Sequence, residues 1–145
     1  MNFYAGRNDI CDLELEKVFT DYMQWNPVKG SPYVVTTEDA LLKQIAKDDL
    51  VVGLTVSCIG FYAPQGRGLR LPLEDIHFKE KLASFEYEGN RICNIDMESA
   101  SITGLASLLG HRAVSCCIVD EAKKISTLRE NKPFNSLIQL VLDRI

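Results

Sequence analysis

Apolar residues recur at helical spacing in some stretches of this chain and run together in others, and that alternation predicts its elements. From Cys11 to Met23, Leu13, Leu15, Val18, Phe19 and Tyr22 fall on one helical face, and Asp12 stands where a cap precedes the first turn. A surface helix is expected there. Residues 25–32 carry Asn26-Pro27, Lys29-Gly30 and Ser31-Pro32, which punctuate regular structure and predict a loop. A second helix is expected from Thr36 or Thr37, through Glu38 and Asp39, to Lys47, with Ala40, Leu41, Leu42, Ile45 and Ala46 as its buried stripe. Asp48-Asp49 ends it.

Leu50 to Ser57 is rich in valine and bounded by charge on one side and Gly60 on the other, the pattern of a buried strand. Pro72 to Phe85 reads as a linker entering a helix, and Arg91 to Ile95 as a short strand. Met97 to Leu109 follows as a helix with Met97, Ile102, Leu105, Leu108 and Leu109 on one side, stopped by Gly110. Ala113 to Val119 is expected as a second buried strand, and Phe134 to Ile145 as a closing amphipathic helix. Strands alternating with helices, without repeats, predict an α/β fold: a layered mixed sheet with flanking helices in one domain over residues 1–145.

With 145 residues, 46% of them apolar, the chain is long enough for a single core that buries roughly 70% of its unfolded surface. Its 16 basic and 20 acidic residues form no block of one sign, which argues against a nucleic-acid groove and against a polybasic membrane anchor. No apolar run is long enough to cross a bilayer. The five cysteines, Cys11, Cys58, Cys93, Cys116 and Cys117, show no C-x-x-C spacing and follow no leader-like start. A disulfide scaffold or a zinc site is therefore not expected; a reducing cytoplasm is, with most of these thiols buried as small hydrophobes.

Two segments carry candidate chemistry. Phe61-Tyr62-Ala63-Pro64-Gln65-Gly66-Arg67 offers an aromatic face, a side-chain amide and a guanidinium just beyond the first predicted strand. Gln65 can donate and accept while Arg67 only donates, so the pair suits the carbonyl, N–H, carbonyl edge of a pyrimidine, with Phe61 against the ring. Arg67 has a second use, because breaking the bond between sugar and base leaves charge on the base, and a donor placed there stabilises the transition state. Taken without that context, the same stretch describes a glycine-containing surface turn with a core phenylalanine, an exposed glutamine and a solvated arginine.

Asn94-Ile95-Asp96-Met97-Glu98-Ser99-Ala100 places Glu98 at a predicted helix start, where its carboxylate can accept from both ribose hydroxyls, with Met97 packing beneath the sugar. The simpler alternative has the two acids serving the helix, one as its cap and one in its first turn, and for Asp96 that reading is preferred. Met97 taken alone reads as core filling sooner than as a sugar contact. His77 and His111 read as surface or connecting residues rather than catalysts.

At these residues the sequence resembles the nucleoside phosphorylase family, in particular its uridine phosphorylase branch. Gly53-Leu54-Thr55-Val56-Ser57 followed by Gly60-Phe61-Tyr62, Gln65 and Arg67 is similar to that branch's base-binding segment. Asp96-Met97-Glu98-Ser99-Ala100 is similar to the family's Glu-Met-Glu-Ser-Ala ribose motif. A weaker resemblance extends from Asn2-Phe3-Tyr4 to the last helix. It implies that Phe61, Gln65 and Arg67 hold the nucleoside base and Met97 and Glu98 the ribose, with Arg67 and Glu98 the catalytic pair. The implied reaction is phosphorolysis of a uridine-like nucleoside, with inorganic phosphate as co-substrate and no metal or organic cofactor, in a homo-oligomer of two or more subunits.

Three departures qualify the resemblance. Family chains are nearly twice as long and bind phosphate through their N-terminal half, so this chain is expected to correspond to the C-terminal half; Gly66-Arg67-Gly68 is too short for a phosphate cradle. Asp96 stands where a longer glutamate is usual. Ile118-Val119-Asp120-Glu121 lacks the Asn-Arg of pyrimidine-specific relatives, while purine-specific relatives carry a proton-donating aspartate near that point. A purine phosphorylase, a nucleosidase using water, and a catalytically silent nucleoside-binding or assembly half-domain therefore stand as alternatives.

Overall fold

A computed structural model describes residues 10–119 and 132–145. Helix α1 spans Leu13–Met23, and Asp12 accepts a hydrogen bond from the Leu15 N–H at 2.9 Å, as the sequence predicts. Glu14 and Glu16 in its first turn complement the helix dipole. Its inner face meets the best-buried side chains: Phe85, 1% exposed, lies edge-on to Phe19 and Tyr22 with ring centroids at 5.3 and 5.2 Å. Helix α2 spans Asp39–Ala46 and is capped by Glu38, whose two carboxylate oxygens take the Ala40 and Leu41 N–H groups, so neither Thr36 nor Thr37 is the cap.

Strand β1 spans only Leu54–Ser57, not Leu50 to Ser57. Val51 and Val52 are 87% and 46% exposed, because a valine-rich run becomes a strand only where another strand pairs with it. The ladder is already irregular at its start, with a register shift between Leu54 and Thr55. Beside that shift, a Cβ at Gly53 would stand 2.4 Å from Cys93 Sγ and 2.7 Å from the Arg91 carbonyl, so only glycine fits.

Helix α3 spans Phe78–Ser84, followed by β2, Glu86–Tyr87, and β3, Asn90–Asp96. Glu88 and Gly89, at φ 49° and 78°, make the two-residue hairpin turn that matches strand twist. The sheet order is β1-β3-β2, with β1 parallel and β2 antiparallel to β3, so among the described residues β1 is an edge strand. This is the mixed α/β sheet with flanking helices that the sequence predicts.

Of the two elements expected next, the helix forms and the strand does not. Helix α4, Ser99–Leu108, packs on β1 and buries Thr103 and Gly104, while Ile102, Leu105 and Leu109 are 58%, 40% and 70% exposed. Of the expected stripe, Leu108 alone is half-buried, and the rest is exposed. Residues 113–119 form no strand: their link to β3 is a side-chain contact, Asn94 Nδ2 to Cys117 Sγ at 3.4 Å, without a backbone ladder. Of the thiols, Cys58 alone is buried, whereas Cys11 and Cys116 are half-buried and Cys93 and Cys117 exposed. Most therefore do not fill the core.

Helix α5 spans Lys132–Leu142. Arg144 just beyond it donates to the Ile45 carbonyl at 2.6 Å and to both Asp49 oxygens at 2.8 and 2.5 Å, which fastens α5 to the end of α2. An apolar cavity of about 500 Å³ follows β1, lined by every residue from Leu54 to Ile59 and, opposite, by Phe19, Trp25 and Val34. Successive strand residues face opposite ways, so a cavity that touches them all runs along the strand's open edge.

Candidate functional site

Parallel pairing of Ser57 with Asp96 sets the carboxyl ends of β1 and β3 side by side, and the Cys58 N–H donates to the Asp96 carbonyl at 2.8 Å. Both candidate segments leave the sheet from this point, the place where α/β folds bind ligands.

After β1 the chain closes into one turn. The Tyr62 carbonyl accepts from the N–H groups of Gln65 and Arg67 at 3.0 and 2.9 Å, and Ala63–Gln65 forms a short 3₁₀ helix. Gly66 follows at φ 66°, a conformation that side chains resist. This geometry gathers Phe61, Gln65 and Arg67: the guanidinium carbon lies 4.2 Å from the Phe61 ring centre, and Arg67 Nη2 donates to Gln65 Oε1 at 3.4 Å. Gln65 is 4% exposed, while Phe61 keeps 49% of its surface open and sits edge-on to Tyr62. Arg67 Nε is buried with no hydrogen-bond partner among the described residues. A buried donor left unmet is uncommon and marks a place where an acceptor is wanted.

After β3, Met97 and Glu98 are both exposed. Glu98 occupies the cap position of α4, yet its side chain does not cap the helix; Oε2 accepts from the Met97 N–H at 3.2 Å. Asp96 points elsewhere. Its Oδ1 accepts from the Ser57 hydroxyl at 2.5 Å, its Oδ2 from the Ser99 hydroxyl, and Ser57 Oγ in turn accepts from the Ala100 N–H at 3.0 Å. The preferred reading of Asp96 as the helix cap is therefore corrected: Glu98 stands at the cap position, and Asp96, the last residue of β3, reaches the helix only through the Ser99 hydroxyl.

No hydrogen bond, ion pair or ring contact joins Phe61, Gln65 or Arg67 to Met97 or Glu98 among the described residues. The strand pairing and the Asp96 bonds connect the two groups instead. The cavity beside β1 is lined by Ala63, Pro64 and Ala100, but by none of Phe61, Gln65, Arg67, Met97 and Glu98, so it adjoins the candidate site without being it.

Burial, and after it the charge of Asp96, pushes the Cys58 thiol up, and burial does the same at Cys116 and Cys117. Thiols held neutral in this way are poor nucleophiles. His77 is exposed and paired with Glu80 at 2.5 Å; His111 is exposed too. No cluster that could hold a metal occurs among the described residues, and no helix among them is long and apolar enough to cross a membrane. Asn2, Phe3, Tyr4, Asp120 and Glu121 lie outside the described residues.

Ser57 and Ser99 had no assigned role from sequence. Asp96 and Ser99 stand at the three-residue spacing of local side-chain bonding, a signal present in the sequence, whereas Ser57 comes from another strand and leaves no local trace.

In comparison with known proteins, the sequence model of the phosphorylase superfamily matches residues 10–138. Searches of curated proteins and of solved structures gave no match.

Proposed function

The chain belongs to the phosphorylase superfamily, and on that premise we propose that it is a uridine phosphorylase-like pentosyltransferase. The proposed reaction converts a pyrimidine nucleoside and inorganic phosphate to free base and ribose 1-phosphate. One observation carries the reading: Gln65 and Arg67, with Arg67 Nε buried and unmet, sit on a turn beyond β1, beside the strand end that carries Glu98.

In this reading the pyrimidine edge meets the Gln65 amide and the Arg67 guanidinium, and Phe61 packs beside it. Glu98 accepts from the ribose hydroxyls with the oxygens its one bond to Met97 leaves available, and Met97 packs against the sugar. As the glycosidic C–N bond breaks, its electron pair goes to the base, where Arg67 stabilises the charge before the base takes a proton. Phosphate oxygen then bonds to the oxocarbenium-like carbon, and its alignment governs the rate. The assigned residues include no phosphate-binding group, so slow turnover by this chain alone belongs to the proposal. The reaction draws on no metal or organic cofactor. A homo-oligomer in the cytoplasm is proposed with it.

Calorimetric titration with uridine tests the assignment. Arg67→Ala and Glu98→Ala should each weaken binding by about tenfold, the size of a lost hydrogen bond to a charged group. Unchanged affinity in both variants overturns it. Phosphate-dependent uracil release then separates phosphorolysis from hydrolysis by water, which would proceed equally without phosphate.

A further inference from the structure

The turn that carries Gln65 and Arg67 hangs from the end of β1, while Glu98 hangs from the end of β3. To grip one ligand jointly, groups on separate elements must hold their relative positions to within about 0.5 Å. The strand ladder sets that relation only as far as its last rung, Ser57 with Asp96. Past it one chain turns away and the other enters α4.

The Asp96 side chain continues the connection. One carboxylate oxygen takes the Ser57 hydroxyl at 2.5 Å and the other takes the Ser99 hydroxyl, so a single side chain ties β1, β3 and the first turn of α4. Ser57 works in both directions: it donates its one proton to Asp96 and accepts the Ala100 N–H at 3.0 Å. Ala100 is the second residue of α4, and its amide is among those a helix leaves unpaired, ordinarily met by the side chain at the cap position. Here the cap position is Glu98, and Ser57 does that work from the neighbouring strand.

We propose that Ser57 and Asp96 are positioning residues: together they hold the base-reading turn and the sugar-reading carboxylate in register, and Ser57 caps α4 so that Glu98 keeps its carboxylate for the ribose. The proposal rests on the nucleoside reading above. It gives Asp96 a meaning distinct from that of a sugar ligand, since each of its oxygens takes a hydroxyl of the protein itself.

Calorimetry with two probes separates these roles. Uracil engages the turn alone, whereas uridine needs both halves of the site. Ser57→Ala and Asp96→Asn should each lower uridine affinity about tenfold, towards that of uracil, while uracil affinity stays within twofold of wild type. Ser57→Thr, which keeps the hydroxyl on a residue suited to a strand, should restore uridine binding. Should Ser57→Ala fail to fold, Ser99→Ala breaks only the α4 side of the link and must show the same selective loss. Three results overturn the proposal: uridine affinity unchanged in Ser57→Ala; a loss in Asp96→Asn alone, which makes Asp96 a direct sugar ligand; or equal losses of uracil and uridine, which indicate general damage. A wild-type chain that binds neither probe removes the nucleoside reading and this proposal with it.

Discussion

At Gly66 the backbone holds φ 66°, and an added Cβ would lie 2.8 Å from Lys79 Cγ and 3.2 Å from the Phe78 ring. Gly66→Ala should therefore destabilise the fold by about 1–2 kcal/mol, read by chemical denaturation, and weaken uridine binding because the same turn orients Gln65 and Arg67. A variant as stable as wild type would mean that the turn relaxes freely. Arg67 adds a second residue-scale effect: leaving its Nε buried and unmet costs roughly 1–3 kcal/mol, which a ligand acceptor can recover. The residue types of the site were readable from sequence, since an amide, a guanidinium and a carboxylate declare what they can bond. Their arrangement was less so. That Arg67 covers the Phe61 ring, and that Asp96 reaches back to Ser57, depends on contacts between distant or non-adjacent residues with no local signature.

Among the elements, helices α1 and α2 were legible because periodicity is a local property of the chain, as is the Asp12 cap of α1; the α2 cap fell on Glu38 rather than on either threonine. Strand extents were not. Leu50 to Gly53 and Ala113 to Val119 have strand-like composition, yet regular strand structure needs a paired neighbour, which sequence alone does not supply. The mostly exposed stripe of α4 is a related case: periodicity shows that a stripe exists, but which face is buried depends on the neighbours, and here it is the face with Thr103 and Gly104. The junction of α2 and α5 has a predictable pH response. Arg144 beside Asp49 holds the Asp49 carboxyl below its usual range, so the bond contributes fully above the ordinary carboxylate pKa of about 4 and is lost as pH falls through the lowered value. Asp49→Ala should speed amide exchange in α5 at neutral pH, and the difference from wild type should vanish in acid. Equal exchange at neutral pH would show that Arg144 does not fasten the helix.

For the molecule as a whole, β1 is an edge strand beside an apolar cavity, and the neighbouring Ile59, Leu71 and Ile76 are 94%, 81% and 72% exposed. Open strand edges and exposed apolar surface favour association. Light scattering should accordingly find a dimer or larger assembly that Ile59→Lys shifts towards monomer, whereas a monodisperse wild-type monomer contradicts this. The central claim is that one nucleoside is held jointly by groups at the ends of β1 and β3. Its most direct test is a crystal structure with uridine bound. The account predicts the base edge at roughly 2.7–3.2 Å from the Gln65 amide and the Arg67 guanidinium, with the ribose hydroxyls on Glu98. Uridine bound elsewhere, or these three side chains facing separate spaces around it, would contradict the account.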